Sequence, residues 1–367
     1  MNGKLFRNRI SLADFDEKMR KTLIDCCRFD WSQISPAIFG SMFQGILDKK
    51  KRRELGAHYT DEKNILKLIN PLFMDDLWDK FERIKTNKSK LEEFHVEISQ
   101  LQFFDPACGC GNFLMLAYRE LRRLEHGILE MLYGNIRQRV LDVSMRLKVT
   151  VEQFYGIEIE DFPCEIARVG MWLTDHQMNQ ELTELFGYNF ARLPLTEGAT
   201  ILHDNALRID WNDVLPKEKC SYLLGNPPFV GAKYQESKQR DDVKLVFAKM
   251  QNVGLLDYVS CWYFTAAKYI KDTAIQVGFV STNSITQGEQ VGVLWPLLFN
   301  YGVKINFCYT TFIWTSEAKG KAHVHCVIIG FSAFDAKKSG FLRNRKKKSR
   351  PAKCAISART LLKVPML

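Results

Sequence analysis

Apolar residues recur every three or four positions over residues 11–50, through Leu12, Phe15, Met19 and Leu23 and then Ile38, Met42 and Ile46. That spacing gives each of two helices one apolar stripe and predicts a packing helix pair. A second helical pattern runs through Ile65, Leu66, Ile69 and Leu72, and a Lys/Glu-rich helical connection fills 76–100. Then the pattern changes. LQFFDPACGCGNF (101–113) reads as a short buried strand entering a glycine-rich turn, followed by a long helix with Leu114, Ala117, Leu121, Leu124, Ile128 and Leu132 on one stripe. Further strands are predicted at FYGIEIE (154–160), ATILHDNAL (199–207), SYLLGNPPF (221–229) and QVGFVST (276–282). Helices through Ile166, Val169 and Leu173 and around 257–271 lie between them, and VKINFCYTTF (303–312) with HVHCVIIGFS (323–332) forms a terminal strand pair. Strands alternating with helices predict an α/β fold built on a doubly wound, mostly parallel sheet.

Composition narrows this picture. The 367 residues are 46% hydrophobic and 26% charged, which suits a folded chain with a sizeable core and excludes a disordered or collagen-like one. No run of 18 apolar residues exists, so no membrane span is expected. MNGKLFRNRISLADF has no apolar signal region, and the ten scattered cysteines contain no C-x-x-C pair. Both point to a reduced cytoplasmic setting and away from a metal site.

The net charge of +10 changes meaning once it is mapped. Eleven of the 52 basic residues fall in 337–367, a stretch without Asp or Glu, leaving 41 against 42 acidic residues in 1–336. The basicity belongs to the tail rather than the body. KKKRRE (49–54) reads as a solvated run or a phosphate contact.

Asp105-Pro106-Ala107-Cys108-Gly109-Cys110-Gly111-Asn112 lies where the first strand meets its helix, the ligand-binding end of such sheets. Gly109 and Gly111 allow close backbone approach and positive φ. A dinucleotide fingerprint is not met, because Leu114 takes the third glycine position and Glu158 lies 53 residues beyond Asp105. A nucleoside without a pyrophosphate fits better, with Asp105 near an ammonium and Glu158 on ribose hydroxyls. Such a ligand is S-adenosylmethionine. A plain strand–helix turn with an aspartate cap is the alternative, and Cys108 and Cys110 read as small fillers.

Asn226-Pro227-Pro228-Phe229 follows the fourth strand. Pre-proline restriction and two rings stiffen this turn, leaving the Asn226 amide oxygen and the Pro227 carbonyl as two fixed acceptors. Two such acceptors suit the hydrogens of an exocyclic amine, favouring a pyramidal nitrogen whose lone pair can meet an electrophilic methyl. Phe229 would stack on a base, and a duplex base must be flipped out to reach it. An isolated N-P-P would more simply be a structural turn.

In this order GAHYT, DPACGCGNF, YGIEIE and NPPF resemble the class I S-adenosylmethionine-dependent DNA methyltransferases acting on N6 of adenine, in the γ arrangement. EIARVGMWLTDHQMN, ATILHDNALRIDW and FIWTSEAKGKAHVHCVIIGFS resemble the MmeI-like methyltransferases more closely still. The resemblance, over about 30–335, implies a seven-stranded Rossmann-like fold and assigns roles. His58, Tyr59 and Thr60 would lie against the cofactor's methionine end, and Asp105, Pro106, Ala107, Gly109, Gly111 and Asn112 would surround it. Glu158 would hold the ribose, Ile159 would pack on the adenine, and Asn205 or neighbouring Asp204 would meet its amine. Asn226 to Phe229 would be catalytic, with no metal. His58 on its own would be read as a surface histidine.

The division expected is a helical lead-in (1–50), a methyltransferase domain (51–336) and a basic, truncated or irregular tail (337–367), with a phosphate-binding arm as the rival reading of the tail. MmeI-like proteins are large fusions, and the sequence carries neither a nuclease motif before GAHYT nor a recognizable recognition domain after Ser332. The partner expected is double-stranded DNA with a flipped adenine, together with a separate recognition or nuclease polypeptide and no membrane. The alternatives are a methyltransferase acting on RNA or protein glutamine, and an inactive cofactor-binding remnant.

Overall fold

Phe103 and Phe104 start the sheet from its middle. They open β1 (Phe103–Asp105), which lies between two parallel neighbours, β2 (Phe154–Glu158) and β4 (Tyr222–Gly225). Because successive side chains of a strand point to opposite faces, Phe103 joins one apolar cluster and Phe104 the other. Phe103 stacks on Phe154, its register partner across the β1–β2 pair, with ring centroids 4.7 Å apart. This computed structural model describes residues 14–29, 61–134, 146–187, 198–248, 250–314, 324–336 and 340–342.

Outward from β1 the sheet runs β3-β2-β1-β4-β5-β7-β6-β8, with β3 at Thr200–His203, β5 at Gln276–Thr282, β6 at Lys304–Trp314 and β7 at Val324–Ser332. The strands β3 to β5 are mutually parallel, while β7 runs antiparallel to both β5 and β6. Seven strands thus stand where the sequence predicts them. An eighth, Gly340–Leu342 (β8), pairs parallel with β6, so three residues of the stretch read as an irregular tail are strand.

Helices cover both faces, as a sheet apolar on both sides requires. One layer holds Glu62–Ile69, Asp75–Ile84, Lys88–Ser99, Asn112–Tyr133 and Asp161–Phe186. The apolar stripe predicted for Asn112–Tyr133 is its buried face: Leu114, Ala117, Leu121, Leu124 and Ile128 are fully buried. The other layer holds Ser237–Phe247, Ser260–Tyr269 and Glu289–Asn300. A π-turn at Asn70–Met74 carries Pro71 between the first two helices.

Of the helix pair expected over 11–50, the helix Glu17–Arg28 is described, capped by the Asp16 carboxylate accepting from Met19 N at 2.7 Å. It differs from expectation in its packing. None of its residues is buried, and Phe15, Met19 and Leu23 are exposed. Residues 30–60, including the KKKRRE run, lie outside the described residues.

Within the first layer the helices are joined by buried charge. Arg122, fully buried, pairs with Asp175 (Nη1–Oδ1 2.9 Å) and Glu125 (Nε–Oε2 3.1 Å) and donates to Asn179 Oδ1. Glu125 Oε1 also meets His95 Nε2 at 2.8 Å and accepts the amides of Lys148 and Val149. Burial works against the Glu125 charge, but His95 and Arg122 hold its carboxyl below the usual range. Among the described residues, no helix is long and apolar enough to cross a membrane.

Candidate active site

The carboxyl ends of β1, β2 and β4 lie side by side, and each delivers one piece of the site. Asp105 ends β1, fully buried. Its Oδ1 accepts the Ala107 amide at 3.0 Å, closing a tight turn, while its Oδ2 is buried with no hydrogen-bond partner. Burial pushes the Asp105 carboxyl up to about 8, and the charge of Glu158 adds to that against the Ala107 bond. A buried carboxylate oxygen without a donor is costly. A cation brought to it would satisfy it.

The turn after Asp105 is held from three sides. Cys108 N donates to Ile157 O at 3.0 Å and Gly109 N to Glu158 Oε2 at 3.0 Å, both on β2. Gly109 and Gly111 have φ of +55° and +82°. A Cβ at Gly111 would lie 3.0 Å from that of Ala167, so glycine is needed there for the close approach of the helix Asp161–Phe186. Asn112 then opens its helix with a buried Oδ1 that lacks a hydrogen-bond partner. The third hold is Trp262, whose Nε1 donates to Pro106 O at 3.1 Å from the opposite face.

Cys108 and Cys110 behave as fillers. A Cβ at Gly156 would lie 2.8 Å from Cys108 Sγ, and burial pushes the Cys110 thiol up to about 12 and that of Cys108 well above its ordinary value. Both remain neutral thiols.

Glu158 ends β2 with its carboxylate oriented by two amides, Gly109 N on Oε2 and Glu160 N on Oε1, each at 3.0 Å. Burial raises its pKa despite these bonds. Each oxygen keeps an acceptor position for a hydroxyl. Ile159 is 52% exposed beside it, an apolar side chain open to an incoming ring.

After β3 the two candidates for an adenine amine separate. Asn205 is committed to the fold: its Oδ1 accepts Leu207 N at 2.9 Å and its Nδ2 donates to Asp242 Oδ2 at 3.3 Å. Asp204 is exposed, and its Oδ1 accepts only the neighbouring Asn205 amide among the described hydrogen bonds. Of the two, Asp204 has the acceptor capacity.

Asn226 follows Gly225 at the end of β4, next to Asp105. Asn226 is half-buried with its Oδ1 out of solvent, Pro227 is buried, and Phe229 packs against both apolar clusters where the sheet ends. The next residues are fastened. Tyr258 N donates to Val230 O at 2.8 Å and Ala232 N to Asp257 Oδ1 at 3.0 Å, and Asp257 Oδ2 accepts from Ser284 Oγ and Gln290 Nε2. Asp242, buried on the helix Ser237–Phe247, ties Asn205, Arg208 and Tyr258 together.

The structure therefore brings Asp105 to Asn112, Glu158, Ile159, Asp204, Asn205 and Asn226 to Phe229 to the carboxyl ends of the neighbouring parallel strands β1 to β4. His58, Tyr59 and Thr60 lie outside the described residues. Sequence reading missed Trp262, Asp242 and Asp257. Each acts on a residue far along the chain, and none carries a local pattern.

Comparison with known proteins shows the family and the fold. The family model for the DNA-methyltransferase domain of MmeI matches residues 81–343. DNA methyltransferase A of Bacillus subtilis (strain 168) is 42% identical over 346 residues, 93% of this chain and 39% of that protein. A solved structure of the Type IIL restriction-modification enzyme MmeI in complex with DNA superposes with a TM-score of 0.91 at 54% identity, covering 96% of this chain and 47% of that one. The adenine-specific methyltransferase PglX of Streptomyces coelicolor is 31% identical over 121 residues, 32% of this chain and 9% of that protein. The chain spans less than half the length of each of these relatives.

Proposed function

We propose that this chain, which belongs to the family of MmeI DNA-methyltransferase domains, transfers a methyl group from S-adenosylmethionine to N6 of an adenine turned out of duplex DNA, as the modification part of a restriction–modification system. The observation that carries the reading is the pairing of two strand ends: the buried Asp105 carboxyl at the end of β1, whose Oδ2 has no donor, beside the Asn226–Phe229 turn that follows β4. The first fits the ammonium of an amino acid, and the second fits an exocyclic amine.

The donor molecule would supply an electrophilic methyl. Everything else is the work of this chain. Asp105 would hold the ammonium, Glu158 the ribose hydroxyls and Asp204 the adenine amine, with Ile159 against the adenine ring. Asn226 Oδ1 and Pro227 O would accept the two hydrogens of the target amine, keeping its lone pair off the ring and aimed at the methyl. Phe229 would stack on the flipped base. That one relative is named adenine-specific, and another is solved in complex with DNA, supports the choice of target.

The test is incubation with methyl-labelled S-adenosylmethionine and DNA, followed by nucleoside analysis. Label in N6-methyladenine is the result expected. Label confined to RNA or protein, or in another base, overturns the assignment.

A further inference from the structure

The segment after Phe229 is fastened by several hydrogen bonds, yet it displays a side chain that makes no described hydrogen bond within the fold. Val230 O, Ala232 N and the Gln235 side chain are all bonded to residues 256–258. Tyr234 N closes a one-turn 3₁₀ helix on Gly231 O at 2.8 Å, and Glu236 N is capped by Gln239 Oε1 at 3.0 Å. From this fixed backbone the Tyr234 side chain projects 83% exposed; the next most exposed large hydrophobic among the described residues reaches 59%. In the sequence around it Lys233, Lys238 and Arg240 are exposed as well, three cations against the exposed acids Glu236 and Asp241, and Lys233 is its immediate neighbour. An aromatic ring on a rigid loop, five residues past the turn assigned to the target base and flanked by cations, matches the chemistry of unpaired nucleic acid: a π-face for a base and charges for phosphates.

We propose that Tyr234 is a DNA contact that stacks on a base left unpaired when the target adenine leaves the helix, with Lys233 against a neighbouring phosphate. The inference rests on the DNA methyltransferase reading above. Extruding the adenine leaves a gap beside its former partner, and a preset ring that stacks on the exposed base offsets part of that cost without ordering a loop. Tyrosine suits the task because it has few rotatable bonds to immobilise.

Fluorescence anisotropy of the whole chain with a fluorescein-labelled single-stranded oligonucleotide, and with the matching duplex, tests this at several salt concentrations. Tyr234→Ala should weaken single-strand binding by about tenfold with the salt slope unchanged. Tyr234→Phe should restore it, and Lys233→Ala should lower the slope by about one. Affinity for S-adenosylmethionine by calorimetry and the thermal midpoint should stay at wild-type values in all three. Wild-type binding by Tyr234→Ala, or no binding of either oligonucleotide by the unmodified chain, overturns the proposal and leaves the ring to a protein neighbour. If oligonucleotide binding follows Tyr234 but no methyl reaches DNA, Tyr234 remains a nucleic-acid contact, while the methyltransferase reading falls and with it the role at a flipped adenine. If methyl reaches DNA equally well with and without the Tyr234 ring, the methyltransferase reading stands and the contact falls.

Discussion

The carboxylate of Asp105 occupies the space that a side chain at residue 225 would fill. A Cβ built on Gly225 would sit 3.0 Å from the Asp105 carboxyl carbon and closer still to Oδ1. The two residues end neighbouring parallel strands, so the absence of a side chain at residue 225 is what lets the acid of β1 sit between the glycine-rich turn and the Asn226 turn. Gly225→Ala should therefore displace a buried, hydrogen-bonded group rather than a mobile one. The expected outcome is a loss of about 1–3 kcal/mol in stability, measured by urea unfolding, and S-adenosylmethionine affinity at least tenfold weaker by calorimetry.

Asp105 also sets a pH dependence. Its pKa is about 8 in the folded chain against an ordinary 3.8, so the folded state keeps a proton that the unfolded chain releases. Stability of the chain without ligand should fall as pH rises between about 4 and 8. Asp105→Asn should flatten that slope in thermal melts. Binding of the ligand ammonium would need the carboxylate, so affinity should rise with pH towards about 8 and fall above it as the ligand's own α-ammonium, of ordinary pKa about 8, loses its proton. Calorimetry in two buffers of different ionisation heat should show close to one proton released near neutral pH.

Asn226→Ala removes one of the two acceptors proposed for the target amine and leaves the Asp105 and Glu158 anchors in place. Methyl transfer should fall by about 10²–10³-fold, the scale seen when one preorganised polar group is deleted. Affinity for S-adenosylmethionine should hold within about twofold, a change of about 0.4 kcal/mol on a scale where about 1.4 kcal/mol is tenfold. Equal loss of binding and turnover would assign Asn226 to the donor rather than the target.

Arg122 makes a prediction about stability alone. Arg122→Met leaves Glu125 and Asp175 facing each other's charge in the interior, and breaking such a buried pair costs about 3–5 kcal/mol. Chemical unfolding should show that loss. The fraction that remains folded should bind S-adenosylmethionine normally, because the network joins the helices Asn112–Tyr133 and Asp161–Phe186 well inside their length. By contrast, Trp262→Phe keeps an aromatic filler but frees the Pro106 carbonyl, and its cost of about 1 kcal/mol should appear in ligand affinity as well.

What the sequence made legible was local. DPACGCG and NPPF announce strand ends because glycine and proline restrict backbone at the residues that carry them, and Glu158 follows from the strand that precedes it. The stripe from Leu114 to Leu132 is legible because burial repeats with the helix period. Asn205 shows the limit: asparagine after a strand reads equally as a ligand contact and as a turn residue, and the bonds to Leu207 N and Asp242 that give it a place in the fold have no local sequence signal. Asp242, Asp257 and Trp262 were illegible since their partners lie 16 to 156 residues away. The helix Glu17–Arg28 has the amphipathic pattern of a packed helix, but periodicity tells which face is apolar and not whether anything covers it.

The bond from Trp262 to Pro106 spans 156 positions, which gives the site an order of assembly on the ribosome. At about 5–20 residues per second, the indole emerges roughly 8–30 s after the turn it fastens. The first half of the chain can lay down Asp105, the glycines and Glu158 while β4, its other flank, is still being made. Until Trp262 arrives the turn is held by β2 alone. A nascent chain stalled before that residue should bind the methyl donor weakly, so that donor capture becomes a late event in synthesis.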